Sequence, residues 1–252
     1  EDIYILADID NVVETNRGTT LGIGDNKIYT IEHFLSALNG LGIDNATVEI
    51  DNIEPPIFDG SSKPFVDRIM DVGIKEYNSA RNNIIISEVI EYKDERCRIE
   101  VIPCDEFQVT YHADFPYGNI GKKEYTYSQT EDYIEQISAA RTFCSIGELI
   151  FLKENGLIQG ADLNSGIVFL DKNIDKDKAN DILLELNIEV ISLENDNHTL
   201  NNVQLRYENE PVRHKVLDLI GDFTLLGSSL KGHVLSYGGG HSCNIEIIKK
   251  IK

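Results

Sequence analysis

Residues 205–226, LRYENEPVRHKVLDLIGDFTLL, carry the clearest periodic signal in the chain. Apolar residues recur at helical spacing, at Val212, Val216, Leu219, Ile220, Phe223 and Leu226. Steps of about 100° per residue put them on one arc of a helix. Asn209 stands where a helix is capped, and Pro211 falls in the first turn, where its missing N–H is harmless. His214, Asp218 and Asp222 recur at every fourth position and form one stripe on the opposite side, with Lys215 beside it. A His and a carboxylate one turn apart can share a cation. The spacing is common by chance, however, and taken alone a solvated helix face is its ordinary reading.

The rest of the chain alternates shorter patterns. Residues 1–28 read as β-prone runs with polar turns, including a hairpin turn at 22–26. TIEHFLSALNGLGIDN follows and predicts a helix, with Thr30 as N-cap and Gly40 just past its end. Ile31, Phe34, Leu35 and Leu38 share its buried face; His33 points away, beside the small residues Ser36 and Ala37 and the carboxylate of Glu32. Residues 46–50 read as a strand, 52–62 as a Pro-Pro turn with a polar Gly loop, and 64–72 as a second helix. The polar, aperiodic stretch 75–83 marks a boundary between a domain at 1–79 and another at 80–252. Beyond it, strands are expected at 84–92, 96–102 and 108–113, and a helix at 130–141 capped by Thr130. An apolar helix is expected through Leu152, ending near Gly156. A strand at 167–170, a charged surface helix at 175–186, a strand at 189–193 and an acidic loop at 194–197 follow. The periodic helix, a strand at 232–237, the loop Gly238-Gly239-Gly240-His241 and an Ile-rich run with a basic tail complete the chain.

Charge narrows the partners. With 43 acidic against 23 basic residues, the net charge of −20 disfavours nucleic acid and anionic membrane surfaces. No apolar run approaches the roughly 20 residues of a membrane span, and the opening residues show no signal-peptide pattern. Cys97, Cys104, Cys144 and Cys243 form no C-x-x-C pair, a pattern that suits a reducing cytosol better than a disulfide framework.

Candidate chemistry gathers at Glu32-His33, at the His214/Asp218/Asp222 stripe, and at His241 behind its glycines. His112, His198 and His233 keep the ordinary reading of isolated histidines. His33, His214 and Asp218 would supply three zinc ligands and leave a position for water. Glu32 would then be the base and His241 the acid that protonates a leaving amine, with Asp222 holding His241 charged. Spacing leaves open whether these groups meet.

TIEHFLSALNGLGIDN, EPPIFDGSSKPFV, ARTF, LRYENEPVRHKVLDLIGDF and GGGH stand in an order and spacing that resemble the zinc-dependent UDP-3-O-acyl-N-acetylglucosamine deacetylases. The resemblance runs over essentially the whole chain, and EPPIFDGSS with ARTFC is most similar to the Bacteroidetes branch. It implies an α+β fold of two similar domains, each a β-sheet with two helices, the helix layers packed between the sheets. It implies hydrolysis of the 2-acetamido group of the acylated UDP-sugar, the committed step of lipid A synthesis, in the cytoplasm. Zinc would sit on His33, His214 and Asp218, with Glu32 as base, His241 as acid and Asp222 supporting it. Thr142 would stabilise the oxyanion, Phe143 would pack on the sugar and Lys215 would contact the polar head.

An insert at about 141–168 would form an apolar passage for the acyl chain, lined by residues such as Leu149 and Leu152, though for each of these ordinary core is an equal reading. Such a ligand set accepts ferrous iron as well as zinc. The family usually carries several dozen more residues in front, and some Bacteroidetes members carry a fused 3-hydroxyacyl-acyl-carrier-protein dehydratase domain behind; both would lie outside this chain. Cys144-Ser145 after ARTF, Gly160-Ala161-Asp162 and Gly238-Gly239 depart from the usual family pattern. Two other readings stand beside the main one: a metal-dependent deacetylase of the same fold acting on another amide, and a metal-binding scaffold without turnover.

Overall fold

The computed structural model describes residues 3–116, 120–154, 162–171, 175–185, 187–188 and 198–252. It is a mixed α+β structure. Strands β1 (Val12–Glu14), β2 (Thr20–Ile23) and β3 (Asn26–Ile28) form a small antiparallel sheet, with β2 in the centre. Gly24, with φ of +57°, makes the expected turn between β2 and β3. Helices α1 (Glu32–Gly40) and α2 (Lys63–Val72) follow. Thr30 does not cap α1. It takes a left-handed φ of 52°, and Ile31 stands at the N-cap without a side-chain hydrogen bond. Residues 46–50 form no strand; they pair with no ladder, and Val48 and Ile50 are exposed.

A larger sheet follows: β4 (Asn83–Ile85), β5 (Ile90–Lys93), β6 (Cys97–Ile102), β7 (Phe107–Phe115) and β8 (Gly121–Ser128). The strand expected at 84–92 is thus two strands. β8 lay outside every expectation, and it pairs antiparallel with β7 along eight register positions. The helix expected at 130–141 shrinks to α3 (Tyr133–Gln136), capped by Asp132 rather than Thr130. Next come β9 (Phe143–Ser145), α4 (Ile146–Glu154), β10 (Ile167–Phe169) and α5 (Lys176–Glu185). The helix end near Gly156, Gly160-Ala161, the strand at 189–193 and the acidic loop at 194–197 lie outside the described residues. The chain continues with α6 (Glu210–Phe223), β11 (Ser229–Gly238) and α7 (His241–Ile251). The spatial order of the sheet is β5-β6-β11-β7-β8, with β4 alongside the start of β11.

Alternation in the strands decides what lies beneath this sheet. Ile99, Val101, Val109, Tyr111 and Val234 point to one side and are buried. α6 and α7 cover them, and α1 packs on α6. α6 therefore has the sheet on one side and α1 on the other. Its apolar arc is buried, and so is its polar stripe: His214, Asp218 and Asp222 are each no more than 3% exposed. The solvated-face reading is excluded.

One expectation about cysteine is corrected. Cys97, opening β6, and Cys243, in the first turn of α7, are joined by a disulfide. Their separation of 146 residues hid the pair, which exists because β6 and α7 meet beside Gly239. Cys104 and Cys144 are free.

Candidate active site

Two helices supply the metal-binding set. His33 lies in the first turn of α1, and His214 and Asp218 lie one turn apart on α6. The imidazole centroids of His33 and His214 are 4.9 Å apart, edge to face. Asp218 Oδ1 lies 3.2 Å from His214 Nε2 and 3.5 Å from His33 Nε2. The ligand atoms of the set fall within 4.8 Å of one another. Asp218 Oδ1 is buried and has no hydrogen-bond partner, an arrangement costly unless something else completes it. A divalent cation shared with two imidazole nitrogens would complete it, so the residues present fit zinc.

The surroundings prepare His214 and Asp218. His214 Nδ1 lies 3.0 Å from the carbonyl of Ala140, which fixes the ring with Nε2 facing the cluster. Burial lowers the His214 pKa to about 3, so the imidazole is neutral and free to ligate at neutral pH. Burial alone would raise the pKa of Asp218, but neighbouring positive charge, including the Lys215 ammonium 2.8 Å from Oδ2, holds it well below the usual carboxylate range. A second group, Asp94, Cys97 and Cys243, also clusters. Its sulfurs are spent on the disulfide, and Asp94 accepts hydrogen bonds from the backbone of Arg96 and Cys97.

Beside the ligands stand the remaining ionisable groups. His241 opens α7 as a helical residue, not as part of the glycine loop before it. Its Nδ1 lies 2.9 Å from Asp222 Oδ2, and its Nε2 lies 3.7 Å from Glu32 Oε1. Burial works against a charged imidazole here, but Asp222 and Glu32 prevail and push the His241 pKa up to about 10. Burial raises the pKa of Glu32, partly offset by His241. The Glu32 carboxyl group and a protonated imidazole thus face each other beside the candidate metal site.

Phe143 flanks the same place, and Thr142 precedes it. Thr142 N–H donates to the carbonyl of Gly60 at 2.7 Å, and its own carbonyl accepts from Ile167 N–H at 2.8 Å. The ring of Phe143 lies 6.0 Å from that of His214, and Lys215 Nζ sits 5.4 Å above it. Leu149 packs in a second, smaller core with Ile146, Val168 and Leu183, and Leu152 is likewise buried.

Several residues in this machinery were not singled out from the sequence. Glu210, fully buried, accepts from Arg141 through the backbone N–H, Nε and Nη2, and from Arg206 N–H. This network pins ARTF to the start of α6. Thr19 and Asn244 both donate to Asp222. The sequence signal for Arg141 and Glu210 was their place inside ARTF and ENEP; Thr19 and Asn244 had none.

The chain is similar to known proteins along its whole length. The family described as LpxC, UDP-3-O-acyl N-acetylglycosamine deacetylase, matches residues 1–181 and 171–252. A bifunctional enzyme LpxC/FabZ of Chlorobaculum tepidum is 38% identical over 97% of this chain and 53% of its own length. Its counterpart in Porphyromonas gingivalis is 36% identical over 96% of the chain and 53% of its own length. A UDP-3-O-acyl-N-acetylglucosamine deacetylase of Chlamydia abortus is 37% identical over 98% of the chain and 80% of its own length. The chain thus spans about half of the bifunctional relatives and most of the single-function one. With a match from end to end and this level of identity, the chain belongs to the LpxC family of UDP-3-O-acyl N-acetylglycosamine deacetylases.

Proposed function

We propose that this chain is a zinc-dependent amidohydrolase that removes the acetyl group from the 2-acetamido nitrogen of UDP-3-O-acyl-N-acetylglucosamine, the committed step of lipid A synthesis. The observation that carries the proposal is the unpartnered Asp218 Oδ1 between two imidazoles, with a carboxylate–imidazole pair alongside. His33, His214 and Asp218 would hold the ion, which when bound polarises the amide carbonyl and makes water a stronger acid.

The chain's own groups then divide the proton work. Glu32 Oε1 takes the proton of the attacking water, and its buried, raised-pKa carboxylate is a better base than an exposed one. His241 gives the Nε2 proton to the departing amine nitrogen. Asp222, on the other ring nitrogen, keeps that imidazole charged and oriented. The Thr142 hydroxyl stabilises the oxyanion that forms on the amide carbonyl oxygen, its N–H being taken by Gly60. Phe143 packs on the sugar, and Lys215 binds the polar head. Leu149 and Leu152 are assigned to the wall of the acyl passage within the insert at about 141–168.

The finer readings that go with this are a division into two related units at 1–79 and 80–252, with the helix layers between their sheets; zinc as the resident metal, with ferrous iron an acceptable substitute; and a Bacteroidetes-like origin. A cytoplasmic setting, which rests on the family and not on the cysteines now that Cys97 and Cys243 are paired, and a dehydratase domain fused outside this chain complete them. No described helix is long and apolar enough to cross a membrane.

Acetate release from the acylated UDP-sugar by the zinc-loaded protein tests the proposal, with Glu32→Ala expected to lose at least a hundredfold in rate. Zinc bound in full without acetate release would favour the scaffold reading, and release from other amides alone would reassign the substrate.

A further inference from the structure

Thr19 lies between the two catalytic carboxylates and touches both. It is fully buried, just before β2, and bonds to Glu32 of α1 and Asp222 of α6. Its N–H donates to Glu32 Oε2 at 2.9 Å. Its Oγ1 donates to Asp222 Oδ1 at 2.5 Å, a bond spanning 203 residues. Its carbonyl accepts from Ile31 N–H at 3.2 Å, at the entry to α1. Gly18 belongs to the same device: a Cβ there would lie 3.0 Å from Glu32 Oε1, so its absence leaves the base room.

The division of labour at Asp222 follows from its two oxygens. Oδ2 takes His241 Nδ1 at 2.9 Å and Asn244 Nδ2 at 2.8 Å. Oδ1 takes Thr19 Oγ1. A carboxylate anchored at one oxygen has a fixed plane, and a fixed plane aims the other oxygen at the imidazole. A hydroxyl is well suited to this task, since it adds a hydrogen bond without adding charge beside the pair.

We propose that Thr19 is a positioning residue of the proton-transfer machinery: its hydroxyl sets the orientation of Asp222, and through Asp222 that of the acid His241, while its backbone N–H sets Glu32. The two halves of the acid–base pair are thereby registered by one residue. The proposal rests on the deacetylase reading for its kinetic consequence, but its geometric content can be read without turnover.

The test uses the zinc-loaded protein and two substitutions. Thr19→Val keeps the shape and the backbone N–H and removes only the hydroxyl; Thr19→Ser restores it. In Thr19→Val, kcat should fall about tenfold, the worth of one hydrogen bond to a charged group, with KM and zinc content near wild type. Thr19→Ser should recover to within about twofold by the same logic. The second readout is the Nδ1 proton resonance of His241, assigned by its loss in His241→Ala. It should be slow to exchange in wild type and Thr19→Ser, and broadened in Thr19→Val.

An unchanged kcat and an unchanged resonance in Thr19→Val would overturn the proposal. So would equal impairment of Val and Ser, or a loss confined to zinc content, because each marks packing rather than positioning. Should Thr19→Val fail to fold, Thr19→Ser against Thr19→Ala makes the same comparison at smaller volume. If wild type releases no acetate, the deacetylase reading fails, and the resonance alone decides the role of Thr19.

Discussion

Gly221 of α6 packs against the backbone carbonyl of Glu32 in α1, so closely that a Cβ on Gly221 would lie 2.1 Å from that oxygen. The two helices that carry the metal ligands meet at this point. Helix propensity favours Ala over Gly by about 1 kcal/mol, but backbone atoms on the far side cannot yield as a flexible side chain would. Gly221→Ala is therefore expected to lower both the melting temperature and the bound zinc per chain. A raised melting temperature with full zinc would show that α1 moves aside freely.

Protonation of His214 is not what should end zinc binding in mild acid. Burial keeps His214 neutral down to about pH 3, so protons compete at this ligand only in strong acid. His214→Ala is expected to lose the ion at neutral pH. In the zinc-free protein, the His214 ring should stay neutral well below the pH at which a free imidazole charges, near 6.5. A His214 ring resonance that titrates at or above that pH would sink the assignment of His214 as a buried, neutral ligand.

His241 sets the opposite limb. Its pKa is pushed up from 6.5 to about 10, against burial, by Asp222 and Glu32, with Asp218 contributing. The acid is active while protonated, so kcat/KM should hold through neutral pH and fall on the alkaline side. Asp222→Asn keeps the shape and removes the charge, and should move that limb to lower pH while leaving zinc content unchanged. The same sign governs stability: charged His241 contributes fully below about 6.5, and that contribution is lost as pH rises toward about 10. An alkaline limb indifferent to Asp222→Asn would assign it to another group.

Arg141 and Glu210 form a pair whose side chains are 12% and 0% exposed, with Nε to Oε1 at 2.8 Å. Removing one partner leaves a buried, uncompensated charge. Arg141→Ala should therefore cost roughly 3–5 kcal/mol in denaturant unfolding. Because the same network seats Thr142 and Phe143, KM should rise as well. Arg141→Leu with Glu210→Met together should recover part of the stability and none of the KM, a split that separates the pair's two effects.

How much of this was legible depended on whether the signal was local. The α6 helix, α1 and the hairpin at β2 and β3 could be read, because periodicity and motif spacing are local properties; the grouping of His33 with His214 and Asp218 came only with the family resemblance. What failed was decided by tertiary partners. Residues 46–50 look like a strand yet have no ladder to join, and Thr30 looks like a cap yet turns left-handed. β8 alternates Lys, Glu and Tyr and reads as polar surface until β7 lies beside it. The stripe on α6 is solvated in isolation and buried once α1 covers it. Thr19, Asn244 and the cysteine pair share the same reason: each acts across a fold-dependent distance that no window of sequence contains.

The disulfide divides the chain in a way that matters when the protein comes apart. Cys97 and Cys243 close a covalent ring that contains His214, Asp218, Asp222 and His241, while Thr19, Glu32 and His33 sit on the arm outside it. Unfolding the oxidised protein leaves the ring confined and lets the arm swing free. An ion held by His33 and the two α6 ligands would fasten arm to ring. Whatever favours the folded arrangement protects every link that depends on it, and the dependence is mutual. Chelator and thiol reductant should thus act as allies, each lowering the dose of the other needed to undo the molecule.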